Sequence, residues 1–202
     1  MQTVSFDSSD MAQREALVAA FPQIDILVNN AGGIPMGSLE SMNDQQWRAA
    51  WDGKVFGYIN LTRAYLPLMK KNGKGVVVNV IGVAGERMDS NYLAGCVGNA
   101  ALMAFTRAVG GSSLFGGVRV VGINPGPVST DRLIKLQRGI AKDKLGDPEK
   151  WPELLKGLPF GRAATPEEIA DAVAFFASDL SSYTSGAILN IDGGLSSRTS
   201  MM

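Results

Sequence analysis

No histidine occurs among the 202 residues, and cysteine occurs once, as Cys96. Without imidazole the chain lacks the side chain that most often serves as a general base near neutral pH, and one thiol cannot build a cysteine-rich zinc site. Nor can it close an intramolecular disulfide, so Cys96 is expected as a buried small residue in a reducing compartment, which favours the cytoplasm. Net charge is also missing, because 19 Lys+Arg balance 19 Asp+Glu. A neutral chain has no broad field to attract nucleic acid or an anionic membrane, and neither is expected as a partner. The uninterrupted apolar runs fall well short of the roughly 18 residues of a membrane span. Residues 1–10 have neither the basic opening nor the apolar core of a signal peptide.

What is present suffices for one core. At this length a chain buries roughly 70% of its unfolded surface, and 46% of these residues are hydrophobic. Residues 4–6 read as a short strand, followed by a helix to about Ala20 that Pro22 stops. Residues 24–28 suit a buried parallel strand emptying into the tight loop Asn29-Asn30-Ala31-Gly32-Gly33. Trp47, Trp51, Val55, Tyr58, Leu61, Tyr65 and Leu68 mark a long crossover helix, with a shorter helix ahead of it as the alternative. The β-branched run 76–81 is a strand, 91–110 a helix rich in small residues, and 118–123 a strand ending in the constrained turn Asn124-Pro125-Gly126-Pro127. The breaker-rich stretch 129–161 reads as short helices in a mobile insertion, a substrate lid. Thr165, Pro166 and Glu168 start another helix, and 187–191 is a last strand. The Ser-rich tail from Ser196 is expected to fray. Strand alternating with helix specifies an α/β fold with a largely parallel sheet, a single domain over 1–202.

Three motifs in this order carry a resemblance: Asn29-Asn30-Ala31-Gly32 after a strand, Asn124-Pro125-Gly126-Pro127-Val128-Ser129-Thr130 after another, and Tyr183-Thr184-Ser185-Gly186 ahead of Ile191-Asp192-Gly193-Gly194. The chain resembles the short-chain dehydrogenase/reductase family over nearly its whole length. The resemblance implies a three-layer, doubly wound, Rossmann-like sheet, a homodimer or homotetramer, and NAD- or NADP-dependent hydride transfer between nicotinamide and a small carbonyl or alcohol. It also implies two strands and two helices ahead of the strand at 4–6, including the glycine-rich turn that cradles pyrophosphate; these are expected to be lacking here, since none precedes Val4, and cofactor binding is expected to suffer for it. Gly32-Gly33 has the wrong context for that turn. By resemblance, Asp7 would lie near adenine, Asn29 and Gly32 near the nicotinamide ribose, and Pro125, Gly126, Val128 and Thr130 against the carboxamide and phosphate. Turn and cap roles compete with each of these.

Carbonyl reduction of this kind needs a phenol to give a proton, an ammonium to lower the phenol pKa, and a hydroxyl to hold the carbonyl oxygen. Tyr92 is the visible phenol, but four residues on stands Cys96. The run from Asn99 to Arg107 resembles the family segment that opens with its lysine. That register puts Asn99 at the lysine position, Gly95 at the tyrosine position and Gly82 at the serine position, while Lys54 takes the asparagine position in the long helix. The usual tetrad is thus replaced, and the expectation is an oxidoreductase-family protein that is impaired or inactive. Alternatives are a catalytically silent homo-oligomeric scaffold and a truncated gene product. A rescue would swing Tyr92 inward to meet Lys54; the competing expectation makes Tyr92 a packing aromatic and Lys54 a solvated helix charge. Trp47 and Trp51 are expected in packing, and Arg132, Lys135 and Arg138 on a solvated helix face.

Overall fold

A computed structural model describes residues 1–198. Four parallel strands, β1 (Ile26–Asn29), β2 (Gly75–Val80), β3 (Val118–Pro125) and β4 (Ile188–Ile191), lie in the order β1-β2-β3-β4. Every connection is therefore a crossover carrying helices: α2 (Asp44–Trp51) and α3 (Gly57–Asn72), then α4 (Leu93–Ser113), then α5 (Asp131–Leu145), α6 (Trp151–Leu155) and α7 (Pro166–Ala177). Helix α1 (Met11–Ala20) precedes β1.

Period-two alternation sorts the strand side chains between two helical layers. Val77, Val118 and Val120 face Leu61, Tyr65 and Met69 of α3, with Leu17 and Val18 of α1 packed alongside. Val76, Val78, Val121 and Ile123 face Phe176 of α7. These are the expected three layers. On the α7 side, however, the cover stops at β2, and Ile26 and Val28, in register with Val76 and Val78, remain 46% and 43% exposed.

Three expectations need correction. Residues 4–6 form no strand: Phe6 packs against the α3-side core, while Val4 is exposed. The outer edge of β1 is unpaired, and a segment with no ladder partner gains no strand. The long helix is interrupted by a π-helical turn, Asp52–Phe56, between α2 and α3. The Ser-rich tail begins in order rather than frayed, since Leu195–Ser197 forms a 3₁₀ turn with Ser196 N–H donating to Asp192 Oδ2 at 2.8 Å; residues 199–202 lie outside the described residues. The remaining elements fall within a few residues of expectation, and the stretch 129–161 holds α5 and α6 with short 3₁₀ turns.

Helix α4 with its 3₁₀ extension, Leu93–Gly116, is long and apolar enough to cross a membrane by length and composition alone. Half of its most apolar stretch is buried, and Leu102 and Met103 pack with Val55, Tyr58 and Ile81, as in the core helix of a sheet protein.

Candidate active site

Ligand sites in open α/β sheets form beyond the carboxyl ends of the strands. The loops that follow β2 and β3 here enclose, with the start of α4, a cavity of about 630 Å³ whose wall includes Lys54, Gly82, Tyr92, Asn99, Pro125 and Gly126. Six residues singled out in the sequence therefore meet at one place. Asp7, Asn29, Gly32, Val128 and Thr130 are not in the wall.

Lys54 enters from the π-helical turn. Its side chain is buried, against the expectation of a solvated charge, and its ammonium donates to Ile81 O at 2.5 Å and Asn99 Oδ1 at 2.9 Å. The turn is braced from outside by the Ser8 hydroxyl, which donates to Gly53 O at 2.7 Å. Gly32 presses on it from another side: φ is +118°, and a Cβ there would stand 2.7 Å from Lys54 Cβ. Glycine is thus required at this position for both conformation and space. Burial, with the Arg132 guanidinium adding to it, lowers the Lys54 pKa from 10.5 to about 8. That burial was within reach of the sequence. Lys54 follows Trp51 by three residues and precedes Tyr58 by four, which puts it on the apolar stripe.

Tyr92 sits at the N-cap of α4, with its backbone pinned by Gly37: Gly37 N–H donates to Asn91 O at 2.7 Å, and Leu93 N–H to Gly37 O at 3.2 Å. From there its ring lies over Gly95. A Cβ on Gly95 would meet Tyr92 Cε1 and Cζ at 2.2 Å, so the ring occupies the volume into which a side chain at 95 would grow. Tyr92 and Lys54 share the cavity, but no hydrogen bond joins them among the described residues. Burial raises the Tyr92 pKa, with Arg132 opposing, so the phenol stays protonated at neutral pH. Gly82 has φ +131°, and a Cβ there would meet Asn99 Nδ2 at 3.0 Å. Asn99 therefore fills the space beside the serine position while holding the Lys54 amine.

The other positions have local roles. Asn29 is buried in the α3-facing layer, with Nδ2 donating to Asn79 Oδ1 at 2.8 Å and Thr62 Oγ1 at 3.2 Å. Asn79 in turn donates to Thr106 Oγ1 at 2.9 Å, forming a polar seam through the core that sequence reading missed, although Asn79 interrupts a run of valines. Asp7 accepts from Ser9 N–H and the Ser9 hydroxyl, which lowers its pKa. Val128 makes an isolated bridge to Ala164, and the Thr130 hydroxyl caps α5. Arg132, Lys135 and Arg138 are exposed, as expected of a solvated helix face, and the Arg132 guanidinium also donates to Ile34 O at 2.7 Å, tying α5 to the loop after β1. Cys96 is buried, as expected, and Trp47 and Trp51 pack in the core cluster of Ile34 and Ala50, with ring centroids 6.3 Å apart.

Comparison with known proteins agrees with this architecture. The family model described as Enoyl-(Acyl carrier protein) reductase matches residues 2–196. A 3-oxoacyl-(acyl-carrier-protein) reductase FabG of Chlamydia muridarum is 34% identical over 197 residues, covering 95% of this chain and 74% of the relative. The chain belongs to the short-chain dehydrogenase/reductase family. A 2-keto-3-deoxy-L-fuconate dehydrogenase of Xanthomonas campestris is 33% identical over 198 residues, 96% of this chain and 64% of that protein. Among solved structures, the L-sorbose reductase of Gluconobacter frateurii, complexed with NADPH and L-sorbose, superposes with a TM-score of 0.88 at 28% identity, covering 97% of this chain and 77% of that one. As a family member the chain is an oxidoreductase by descent, with a Rossmann-like sheet.

The cavity wall could hold the nicotinamide end of a dinucleotide such as the NADPH in the Gluconobacter reductase structure. Pro125, Gly126, Ile81 and Gly82 give the cavity a largely apolar side against which a flat ring can lie. Gly32-Gly33 follows β1 without opening a helix, so it is not a strand-to-helix pyrophosphate cradle.

Proposed function

We propose that this short-chain dehydrogenase/reductase binds a small carbonyl or alcohol compound in the cavity between Lys54, Tyr92 and Pro125, nominally as an NAD- or NADP-dependent oxidoreductase, with impaired or absent turnover. The single observation that carries this reading is the Tyr92 ring lying over Gly95 while Lys54 is held by Asn99 and Ile81. The phenol and the ammonium are both in the wall, yet neither serves the other. A phenol with a raised pKa holds its proton, and an ammonium bonded elsewhere does not lower that pKa. Pro125 and Gly126 would flank a nicotinamide, which when bound supplies the hydride; Asn99 and Lys54 would orient the carbonyl oxygen. Residues 129–161 would act as the lid, with Arg132 as its tether.

Titration of the purified chain with NADH and NADPH, with solution mass followed in parallel, tests binding and assembly together. A panel of aldehydes and ketones then tests hydride transfer. The expected result is no turnover above solvent background. Turnover that Tyr92→Phe abolishes would overturn the impaired reading and establish the Tyr92 and Lys54 relay instead.

The alternative, a catalytically silent homo-oligomeric scaffold, draws on Phe56 and Val97, which remain 45% and 43% exposed. Apolar side chains of this size favour a covered face, and a homodimer or homotetramer in the cytoplasm is the proposed assembly. A folded dimer that binds neither dinucleotide would favour that reading.

A further inference from the structure

We propose that Lys54 is a condensing amine, whose Nζ forms an imine with a small aldehyde or ketone admitted to the cavity. The inference shares only the cavity and the carbonyl class with the function proposed above, and it needs no dinucleotide.

Three observations carry it. First, among the described residues Lys54 has no ion-pair partner; its buried Nζ is held by two neutral oxygens, Ile81 O and Asn99 Oδ1, at 2.5 and 2.9 Å. A neutral amine has two N–H bonds and one lone pair, so donating to both oxygens leaves the lone pair as its free valence. Second, Ile81 and Asn99 are themselves cavity wall, which places the amine at the wall rather than behind it. Third, the surroundings disfavour the ammonium. Met36, Val83 and Leu195 contribute apolar wall, and Arg132 of α5 adds a positive charge nearby. A lysine desolvated by burial beside another cation is one general route to a nucleophilic amine.

The other ionisable groups leave that balance intact. Arg87 and Asp89 line the loop between β2 and α4, and Asp89 Oδ1 accepts from Asn91 N–H at 2.8 Å. Tyr92 is a protonated phenol, Cys96 is buried against Asp89, and Asp52 lies two residues from Lys54 in the π-helical turn without pairing to it. The π-helical insertion itself is a device that recurs at functional sites.

The step balances without an oxidant or reductant. Nζ adds to the carbonyl carbon, forming a C–N bond and a carbinolamine. The carbonyl oxygen then leaves as water, carrying both amine hydrogens, and a C=N double bond remains.

The probe is butanal with sodium cyanoborohydride, which reduces the imine to a stable secondary amine, followed by peptide mapping of the full chain by mass. The neutral fraction of an amine with pKa about 8 exceeds that of one at 10.5 by ~300-fold at pH 7. A weaker base is also a weaker nucleophile, so labelling of Lys54 on the order of 10-fold faster than the surface lysines is expected. The midpoint of its pH dependence should lie near 8. Lys54→Met should lose the fast adduct and keep the slow background. Asn99→Asp, which sets a carboxylate against the amine, should move the midpoint up by about one pH unit or more. Labelling spread evenly over the lysines, or a fast lysine adduct, apart from that of the Met1 α-amine, that survives Lys54→Met, overturns the proposal; if Lys54→Met fails to fold, the map of the unaltered chain and the Asn99→Asp shift decide. Because no nicotinamide is present, a failure here is separate from a failure of hydride transfer.

Discussion

Gly95→Ala tests the arrangement on which the reading of the site rests. The added methyl would stand 2.2 Å from Tyr92 Cε1 and Cζ and 2.7 Å from Cδ1, far inside carbon contact distance. The ring must move, because Gly95 is fixed in α4 and fully packed. Overpacking of this kind costs about 1–3 kcal/mol. Replacing a helical glycine by alanine recovers up to about 1 kcal/mol, so the net loss expected is about 0–2 kcal/mol. The small net figure alone would decide little, and a double-mutant cycle removes the ambiguity. With Tyr92→Ala as background there is no ring to displace, and Gly95→Ala should be neutral or stabilising by up to about 1 kcal/mol. The coupling between the two positions should therefore reach about 1–3 kcal/mol. Urea denaturation followed by circular dichroism on the four proteins measures it. Additivity within about 0.5 kcal/mol would show that the ring does not cover Gly95, and the observation on which the proposed function rests would fall with it.

Other consequences are open to the same assays. Gly32→Ala forces a side chain into φ +118° and against Lys54 Cβ at 2.7 Å; a loss of about 2 kcal/mol or more is expected, a Tm drop of roughly 4–8 °C, and an unchanged Tm would refute the close approach. Glu168 accepts from the Arg162 guanidinium and from Thr165 N–H, which lowers its pKa from 4.5 to about 2. Since the folded value lies below the unfolded one, its contribution is complete above pH 4.5 and is lost as pH falls toward 2; Glu168→Gln should flatten that part of the acid limb, seen in pH-dependent denaturation. Lys54 acts in the same direction at the alkaline end. Between pH 8 and 10.5 the unfolded chain binds its proton and the folded chain does not, so stability from this group rises with pH across that window by about 3 kcal/mol. Lys54→Met should remove the rise, and a variant that keeps it would show that the ammonium is not buried.

Much of the architecture was legible because it rests on local patterns that tertiary contacts reinforce. The valines of β2 read as a strand and are one, since a β-branched run with both faces covered has no better conformation. The capping box at Thr165 and Glu168 starts α7 where expected, because the signal and its hydrogen bonds lie within four residues. Residues 4–6 show the converse: an apolar alternation specifies what could be a strand, while a strand exists only with a ladder beside it. Pattern is a property of a segment, and pairing a property of its neighbours.

The site was legible as a set of positions and not as an arrangement. That Gly82, Gly95 and Asn99 replace reactive side chains follows from their identities alone. What occupies the vacated space does not, because the Tyr92 ring reaches Gly95 through a cap geometry fixed by Gly37, more than fifty residues away in the chain. Lys54 is the sharper case. A charge is expected to seek solvent, yet its spacing from Trp51 and Tyr58 is the better guide, since a long amine can be buried when oxygens wait at its end. Asn79 and Thr106 follow the same logic inside the sheet layer, each polar group meeting the other where the valine pattern alone would place only carbon. A polar residue on an apolar stripe is thus a statement about a partner elsewhere in the chain. At Lys54 both partners are cavity wall, so the group that breaks the stripe also meets whatever enters the cavity.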